Sequence, residues 1–264
     1  MSDAGQMFSD GKVYERMMGR WSKRVGVQFL DWLDAPKGLH WVEVGCGNGA
    51  FTEELIAYTA PRAVSSIDPS EGQLAFARTR PAAKLAEFRL GDAQALPFPD
   101  KTFDAAAMAL VISFIPDPAK AVAEMARVVR PGGIVATYMW DIPGGGLPLA
   151  PVGRAFKAMG KEYSRTSDNA SRREVMQTLW QDAGFREVET RVIRITVDFV
   201  SFDDFCDSSL VPIGPAGQVI AKMSPAELEE LKAHLRKLLP IAADGRIAYE
   251  AFANAVKGRV PANP

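Results

Sequence analysis

The residues with the clearest chemical potential form the run Trp41-Val42-Glu43-Val44-Gly45-Cys46-Gly47-Asn48-Gly49, an apolar stretch that passes directly into three alternating glycines. Glycine belongs where a backbone bends sharply with positive φ, or where a ligand must lie against the chain with no Cβ between them. A strand that ends in such a turn and leads into a helix binds ligands in open α/β sheets, whose sites gather at the carboxyl ends of the strands. The spacing Gly45-x-Gly47-x-x-Ala50 also satisfies the looser dinucleotide fingerprint, so the motif alone admits more than one nucleotide ligand. Asp68 closes the next apolar run, where a carboxylate can accept from both hydroxyls of an adenosine ribose. An Asp-Pro pair also simply starts turns, and Asp68-Pro69 meets that description as well.

Such residues need a frame. Trp21, Val25, Phe29, Trp32 and Leu33 recur at helical spacing and predict a helix from about Tyr14 to Leu33, ended by Asp34-Ala35-Pro36-Lys37-Gly38. Short apolar runs at Trp41 to Val44, Ala63 to Ile67, Glu87 to Leu90, Asp104 to Ala109 and Ile134 to Met139 read as strands. Between them lie a helix from Phe51 to Tyr58, one opened by a capping box of Ser70 with Gln73, and one opened by Asp117-Pro118 that runs to Val129 before Pro131-Gly132-Gly133. This is the beat of βαβ units and a parallel sheet. Beyond Trp140 come a Pro/Gly loop from Ile142 to Pro148 and a helix from a Ser171/Glu174 capping box to near Gly184. A β-rich run from Val188 to Val200 and a mostly helical stretch from Ser201 to Leu239 follow, the latter with a clear start at Ser224-Pro225-Ala226-Glu227. A last strand is expected at Ile247 to Val256.

Of the 264 residues 47% are hydrophobic, enough to bury a large core. The formal net charge is -1 and the basic clusters, Arg20 to Arg24 and Arg172 with Arg173, are short, so no nucleic-acid partner is expected. The two cysteines, Cys46 and Cys206, have neither Cys-x-x-Cys nor metal-ligand spacing, which predicts no disulfide framework, no metal and a reducing, cytoplasmic setting. The polar start from Met1 to Gly11 lacks the pattern of an export signal, and no run is long enough to span a bilayer. A soluble monomer or homodimer that does not engage membranes is the expectation.

The order of these motifs resembles the class I S-adenosylmethionine-dependent methyltransferases, especially their small-molecule branch, which includes quinone-biosynthesis enzymes. Glu43-x-Gly45-x-Gly47-x-Gly49 is similar to that family's first motif and Asp68 to its ribose acid. Gly91-Asp92-Ala93 resembles its adenine-side motif, and Leu96-Pro97-Phe98 through Phe103-Asp104 its approach to strand four. Arg130-Pro131-Gly132-Gly133 resembles the turn before strand five. The likeness covers roughly Tyr14 to Met139, and it rests on several moderate motifs in the right order.

The resemblance implies a doubly wound, Rossmann-like, mostly parallel seven-stranded sheet with helices on both faces and a small helical cap near the C-terminus. Residues 1–33 would form a lid, 34–200 the cofactor-binding domain, 201–240 the cap, and 241–264 the last strand and tail. It also implies that Gly45, Cys46, Gly47 and Gly49 pass beneath the methionine and ribose of S-adenosylmethionine, with Gly45 and Cys46 near its amino group and Glu43 orienting that end. Pro69 and Ser70 would border the adenosine, Asp92 and Ala93 would bond the adenine after Gly91, and Met108 and Ala109 would meet the methionine. Tyr14 could close the site and Arg20 pair with the methionine carboxylate. For several of these a simpler role stands beside the functional one: Glu43 as a satisfied buried acid, Asp92 as a loop cap, Cys46 as turn filling, Arg20 as an exposed residue of a packed helix.

A sulfonium already activates its methyl group, so the protein must chiefly align a nucleophile behind that carbon and exclude water. A general base has no evident source in the sequence. His40 precedes the first strand, His234 falls on an outer helix, and the segment Leu110-Val111-Ile112-Ser113-Phe114-Ile115 lacks the polar or histidine residues often found there in the family. Ser113 and Phe114 are expected to line an acceptor pocket roofed by the first helix and by 201–239, where Phe199, Phe202, Phe205, Leu210, Val211 and Ile213 suit an aromatic or partly apolar small molecule or else pack as core. Two other readings remain open at this point. An NAD-dependent oxidoreductase shares the turn and the ribose acid, although no tyrosine is followed four residues later by lysine. A non-catalytic S-adenosylmethionine-binding protein fits the missing base.

Overall fold

Strand β1 (His40–Val44) is sheathed on both faces. Trp41 enters one apolar layer, while Val42 and Val44 enter the other, as a pleated strand requires. The computed structural model describes residues 18–162, 166–212 and 214–262. Strands β2 (Ala63–Asp68), β3 (Ala86–Leu90), β4 (Phe103–Ala109) and β5 (Val129–Trp140) join β1 in parallel register. With β6 (Arg186–Phe199) and β7 (Ile247–Arg259) they make a seven-stranded sheet in the order β3-β2-β1-β4-β5-β7-β6. Only β7 runs antiparallel to its neighbours β5 and β6. The strand order reverses between β1 and β4, and such a switch point leaves a crevice at the carboxyl ends.

Helices cover both faces. α1 (Arg20–Leu33), α2 (Ala50–Thr59), α5 (Ala150–Ala158), α7 (Phe202–Ser209) and α9 (Pro225–Leu238) send Phe29, Leu55, Phe156, Phe205 and Leu235 into the Trp41 layer. α4 (Pro118–Val128) and α6 (Arg173–Asp182) send Met125 and Trp180 into the opposite one. α3 (Glu71–Ala77) packs Leu74 and Ala77 against Phe88, and α8 (Gly214–Ile220) contributes Ile220 to the Trp41 layer. Each large apolar side chain so buried contributes roughly 1.5–3 kcal/mol.

Several local expectations needed revision. His40 is the first residue of β1, in register with Ala63 of β2, and its amide donates to Asp104 Oδ2 at 2.8 Å. Buried Asp104 also pairs with Arg62 (3.4 Å) and Arg130 (2.5 Å), pinning the amino ends of the central strands. β5 begins at Val129, which pairs with Phe103 before the register shifts, so Pro131-Gly132-Gly133 lie inside the strand. Ser171 does not cap α6: its hydroxyl donates to the Asp168 carbonyl at 2.6 Å and accepts from the Ile142 amide at 3.1 Å. α5 had no counterpart in the sequence reading. Asp117 and Ser224 do cap α4 and α9 as their sequences predict. Phe199 and Ile247 are sheet partners, so residues 200–246 leave and re-enter the sheet at one point.

Candidate active site

The turn after β1 is built around its glycines. Gly45 has φ +77°, and a Cβ there would fall 2.5 Å from Val111 Cγ2, so the chain leaving β4 can close on the turn only because residue 45 has no side chain. The amides of Gly45 and Cys46 both donate to the Ile67 carbonyl at 2.8 and 2.9 Å. The Gly47 amide donates to Asp68 Oδ2 at 2.8 Å and the Ser70 amide to Asp68 Oδ1 at 2.9 Å. Burial raises the Asp68 carboxyl above the usual carboxylate range, against the pull of those two amides.

Glu43 lies fully buried beneath this turn. Its Oε2 accepts from Thr52 Oγ1 at 2.6 Å and Ser66 Oγ at 2.8 Å, while Oε1 has no partner. Burial pushes its pKa up to about 7, opposed by the two hydroxyls and assisted by the charge of Asp68. The carboxyl ties β1, α2 and β2 together through the Thr52 and Ser66 hydroxyls.

A cavity of about 690 Å³ opens over the carboxyl ends of β1, β2, β4 and β5. Of the residues expected at the site, Arg20, Gly45, Cys46, Gly47, Asp68, Pro69, Ser70, Ala109 and Phe114 line it. Glu43 and Met108 are fully buried outside its wall, Met108 in the α4 layer. Gly49, at φ +79°, precedes α2 and faces Ala77. Gly91 donates its amide to the Asp68 carbonyl at 3.1 Å, and exposed Asp92 accepts from the Gln94 amide at 2.8 Å; neither they nor Ala93 reach the wall. Ser113 is not beside Phe114 in the wall: it is fully buried, its carbonyl bonded to the Ser167 amide at 3.1 Å. Tyr14 and Ile213 lie outside the described residues.

The roof consists of Met18 to Arg20, Ser22 and Lys23 at the start of α1 and Gly214 to Ala216 of α8. Phe199, Phe202 and Phe205 pack as core, and Leu210 and Val211 pack against it. Arg20 lays its guanidinium 4.1 Å from the Trp21 ring and 4.9 Å from Phe199. Sequence reasoning missed Gln73, Glu54, Arg80, Tyr138 and Trp140, all in the wall. Gln73 and Trp140 are buried with a side-chain polar atom unpartnered, Oε1 and Nε1 respectively. The position of Gln73, in the first turn of the helix that follows Asp68, was its one available signal. Burial lifts the Cys46 thiol well above its ordinary range, so it is no nucleophile. The His40 ring lies tilted against Phe103 with centroids 4.7 Å apart and His234 sits 3.9 Å from Glu230, neither in the wall. Among the described residues no group of His, Cys, Asp or Glu could hold a metal ion, and no helix is long and apolar enough to cross a membrane.

These features fit S-adenosylmethionine. A carboxylate offers about four acceptor positions, and Asp68 uses two on backbone amides, leaving a pair for a ribose diol. The orphaned Gln73 Oε1 in the same wall suits a donor such as an amine.

Residues 42–137 match a family described as a methyltransferase domain. Phosphatidylethanolamine N-methyltransferase of Cereibacter sphaeroides is 35% identical over 63% of this chain and 77% of its own length. Demethylmenaquinone methyltransferase of Symbiobacterium thermophilum is 31% identical over 60% of this chain and 72% of its own. The chloroplastic 2-methyl-6-phytyl-1,4-hydroquinone methyltransferase 2 of Oryza sativa is 35% identical over 46% of this chain, but the match spans 36% of that enzyme. Among solved structures, Haemonchus contortus phosphoethanolamine N-methyltransferase 2 bound to S-adenosyl-L-methionine superposes with TM-score 0.61 at 17% identity, over 99% of this chain and 60% of that one. The cyclase SpnF superposes with TM-score 0.55 at 18% identity, over 98% and 96%. The fold alone thus accompanies more than one named chemistry, and it is the sequence relationship that sets aside the nicotinamide-dependent reading. Sequence, sheet order and the glycine turn held by Asp68 together place this chain in the class I S-adenosylmethionine-dependent methyltransferases.

Proposed function

We propose that the protein methylates an aromatic or partly apolar small molecule by in-line displacement. The observation that carries this reading is one cavity lined both by Asp68 and Gly47 and by the apolar side chains of Phe51, Phe114, Leu147 and Leu149. Bound S-adenosylmethionine supplies a methyl group activated by its sulfonium. Asp68 accepts from the ribose, and because the Gly45 and Cys46 amides are already engaged, the Gly45 carbonyl takes the donor's amino group. Glu43 supports the turn from below. Ala109 and Arg20 serve the methionine end, and Tyr14 the closure of the site. Trp140 offers an unpartnered indole N–H to a polar group of the acceptor. Apolar walls exclude water and hold the nucleophile in line. Two free thiols, one of them buried, suit a reducing cytoplasm, where the protein acts as a monomer or homodimer.

Calorimetric titration with S-adenosylmethionine, S-adenosylhomocysteine and NAD tests the cofactor assignment, and labelled methyl transfer to hydroquinones and to amines then tests the acceptor class. Transfer confined to a protein or nucleic acid would overturn the reading. Binding without transfer to any small molecule would favour a cofactor-binding protein instead.

A further inference from the structure

We propose that Glu54 is the proton acceptor of the transfer reaction, and that the acceptor is therefore a protic nucleophile, a hydroxyl or amine that loses its proton as it is methylated; this rests on the methyltransferase reading above. Glu54 projects from α2 into the cavity wall. Gly26 of α1 faces it. A Cβ on Gly26 would collide with Glu54 Oε2 and stand 3.2 Å from the Tyr138 hydroxyl, so the carboxyl and the phenol share one small space at the seam of α1, α2 and β5. Glycine inside a helix is unfavourable, and its presence at 26 leaves the room that the carboxyl fills.

The other acids of the wall are committed. Asp68 holds two backbone amides and Glu53 is paired with Arg80 at 2.7 Å. Glu54 has no hydrogen bond or ion pair among the described residues, and what acts on it is burial first, then the charges of Lys23, Glu43, Glu53 and Arg80. Lys23 and Arg80 draw its pKa down, burial and the two acids draw it up, and the result is about 8. A base is most effective when its pKa lies near the working pH. An isolated carboxyl beside a phenol, in the cavity that takes the methyl donor, has that property and a free pair of oxygens.

The step balances as a substitution. The acceptor's lone pair forms the new bond to carbon, the carbon–sulfur bond breaks with its electrons left on sulfur, and the acceptor's proton passes to Glu54 and then to solvent.

The test uses the full chain as wild type, Glu54→Gln, Glu54→Asp and Gly26→Ala. Three quantities are read: calorimetric affinity for S-adenosylmethionine, transfer of labelled methyl to a protein-free cell extract from pH 5.5 to 9.5, and the titration of 13C-labelled glutamate carboxyls by NMR. Glu54→Gln should bind the methyl donor within about two-fold of wild type yet lose roughly 100-fold or more of the transfer rate, with Glu54→Asp recovering part of it. Wild-type transfer should rise with pH through the value at which Glu54 titrates, and a carboxyl resonance titrating near pH 8 should vanish in Glu54→Gln and move in Gly26→Ala. An unchanged rate and pH profile in Glu54→Gln, or a Glu54 resonance titrating in the ordinary carboxylate range, overturns the proposal. Failure of the wild type to bind S-adenosylmethionine overturns the methyltransferase reading instead.

Discussion

The backbone amide of Gly47 donates to Asp68 Oδ2 across 2.8 Å, so the turn that ends β1 is held by the acid that ends β2. One carboxylate both shapes the glycine turn and presents its remaining acceptor positions to a ligand. Asp68→Ala should weaken S-adenosylmethionine binding by about 2 kcal/mol, roughly 30-fold, since bonds to a charged acceptor are the strong ones. Calorimetry on a variant with unchanged circular dichroism measures this, and unaltered affinity would remove Asp68 from the donor site.

Glu43 makes stability depend on pH. Its folded value of about 7 stands above the ordinary 4.5, so between those values the folded protein keeps a proton that the unfolded chain has released. Stability then falls as pH rises through that window, by roughly 1.4 kcal/mol per unit for a single group. Glu43→Gln keeps the shape without the proton and should flatten the slope. Scanning calorimetry at pH 5, 6, 7 and 8 compares the two, and parallel curves would show that Glu43 is not the group responsible.

Arg127 holds the Leu96-Pro97-Phe98 segment in place. It donates to the carbonyls of Phe98 (2.8 Å) and Leu96 (3.0 Å), while its partner Glu124 accepts from the Leu96 amide at 2.7 Å. Arg127→Ala should cost about 2 kcal/mol in urea unfolding with the m-value unchanged. Lysine should recover little, because it lacks the planar fork that spans two carbonyls.

Cys46 should behave as filling. Its thiol is buried and held protonated, so iodoacetamide should leave it unmodified in the native protein at pH 8. Cys46→Ala should retain methyl transfer within about five-fold. A methylated Cys46 trapped by mass spectrometry during turnover would contradict this.

The parts of the site that are local in sequence were legible, and the parts assembled from a distance were not. Gly45 to Gly49 and Asp68 announce themselves because backbone conformation and a strand-end acid leave fixed spacings. Asp117 and Ser224 were equally plain, since a helix cap is decided within four residues. Ser171 misled because its hydroxyl had tertiary partners, Asp168 and Ile142, that outcompeted the cap. β5 starts earlier than its apolar run because pairing of Val129 with Phe103, and of Gly132 and Gly133 with Val260, carries the strand through a bulge in which Gly132 takes φ +79°, a Pro-Gly-Gly stretch that reads locally as a turn. Glu54 left no trace at all. Its setting depends on Gly26 and Tyr138, residues of other elements whose arrival beside it is a property of the folded sheet.

The excursion between Phe199 and Ile247 begins and ends on one hydrogen-bonded pair of strands. Because its two ends are clamped together by the sheet, the closure cost changes only slowly with the length inserted. The α7 to α9 region is thus one excursion from a single point of the sheet, anchored on the core by Phe202, Phe205, Ile220, Leu231 and Leu235. Its α8 touches the cavity through Gly214, Pro215 and Ala216, whereas the β1 turn and Asp68 belong to the opposite half of the sheet. Changes confined to Gly214, Pro215 and Ala216 would therefore reshape one wall of the cavity while leaving the β1 turn and Asp68 untouched.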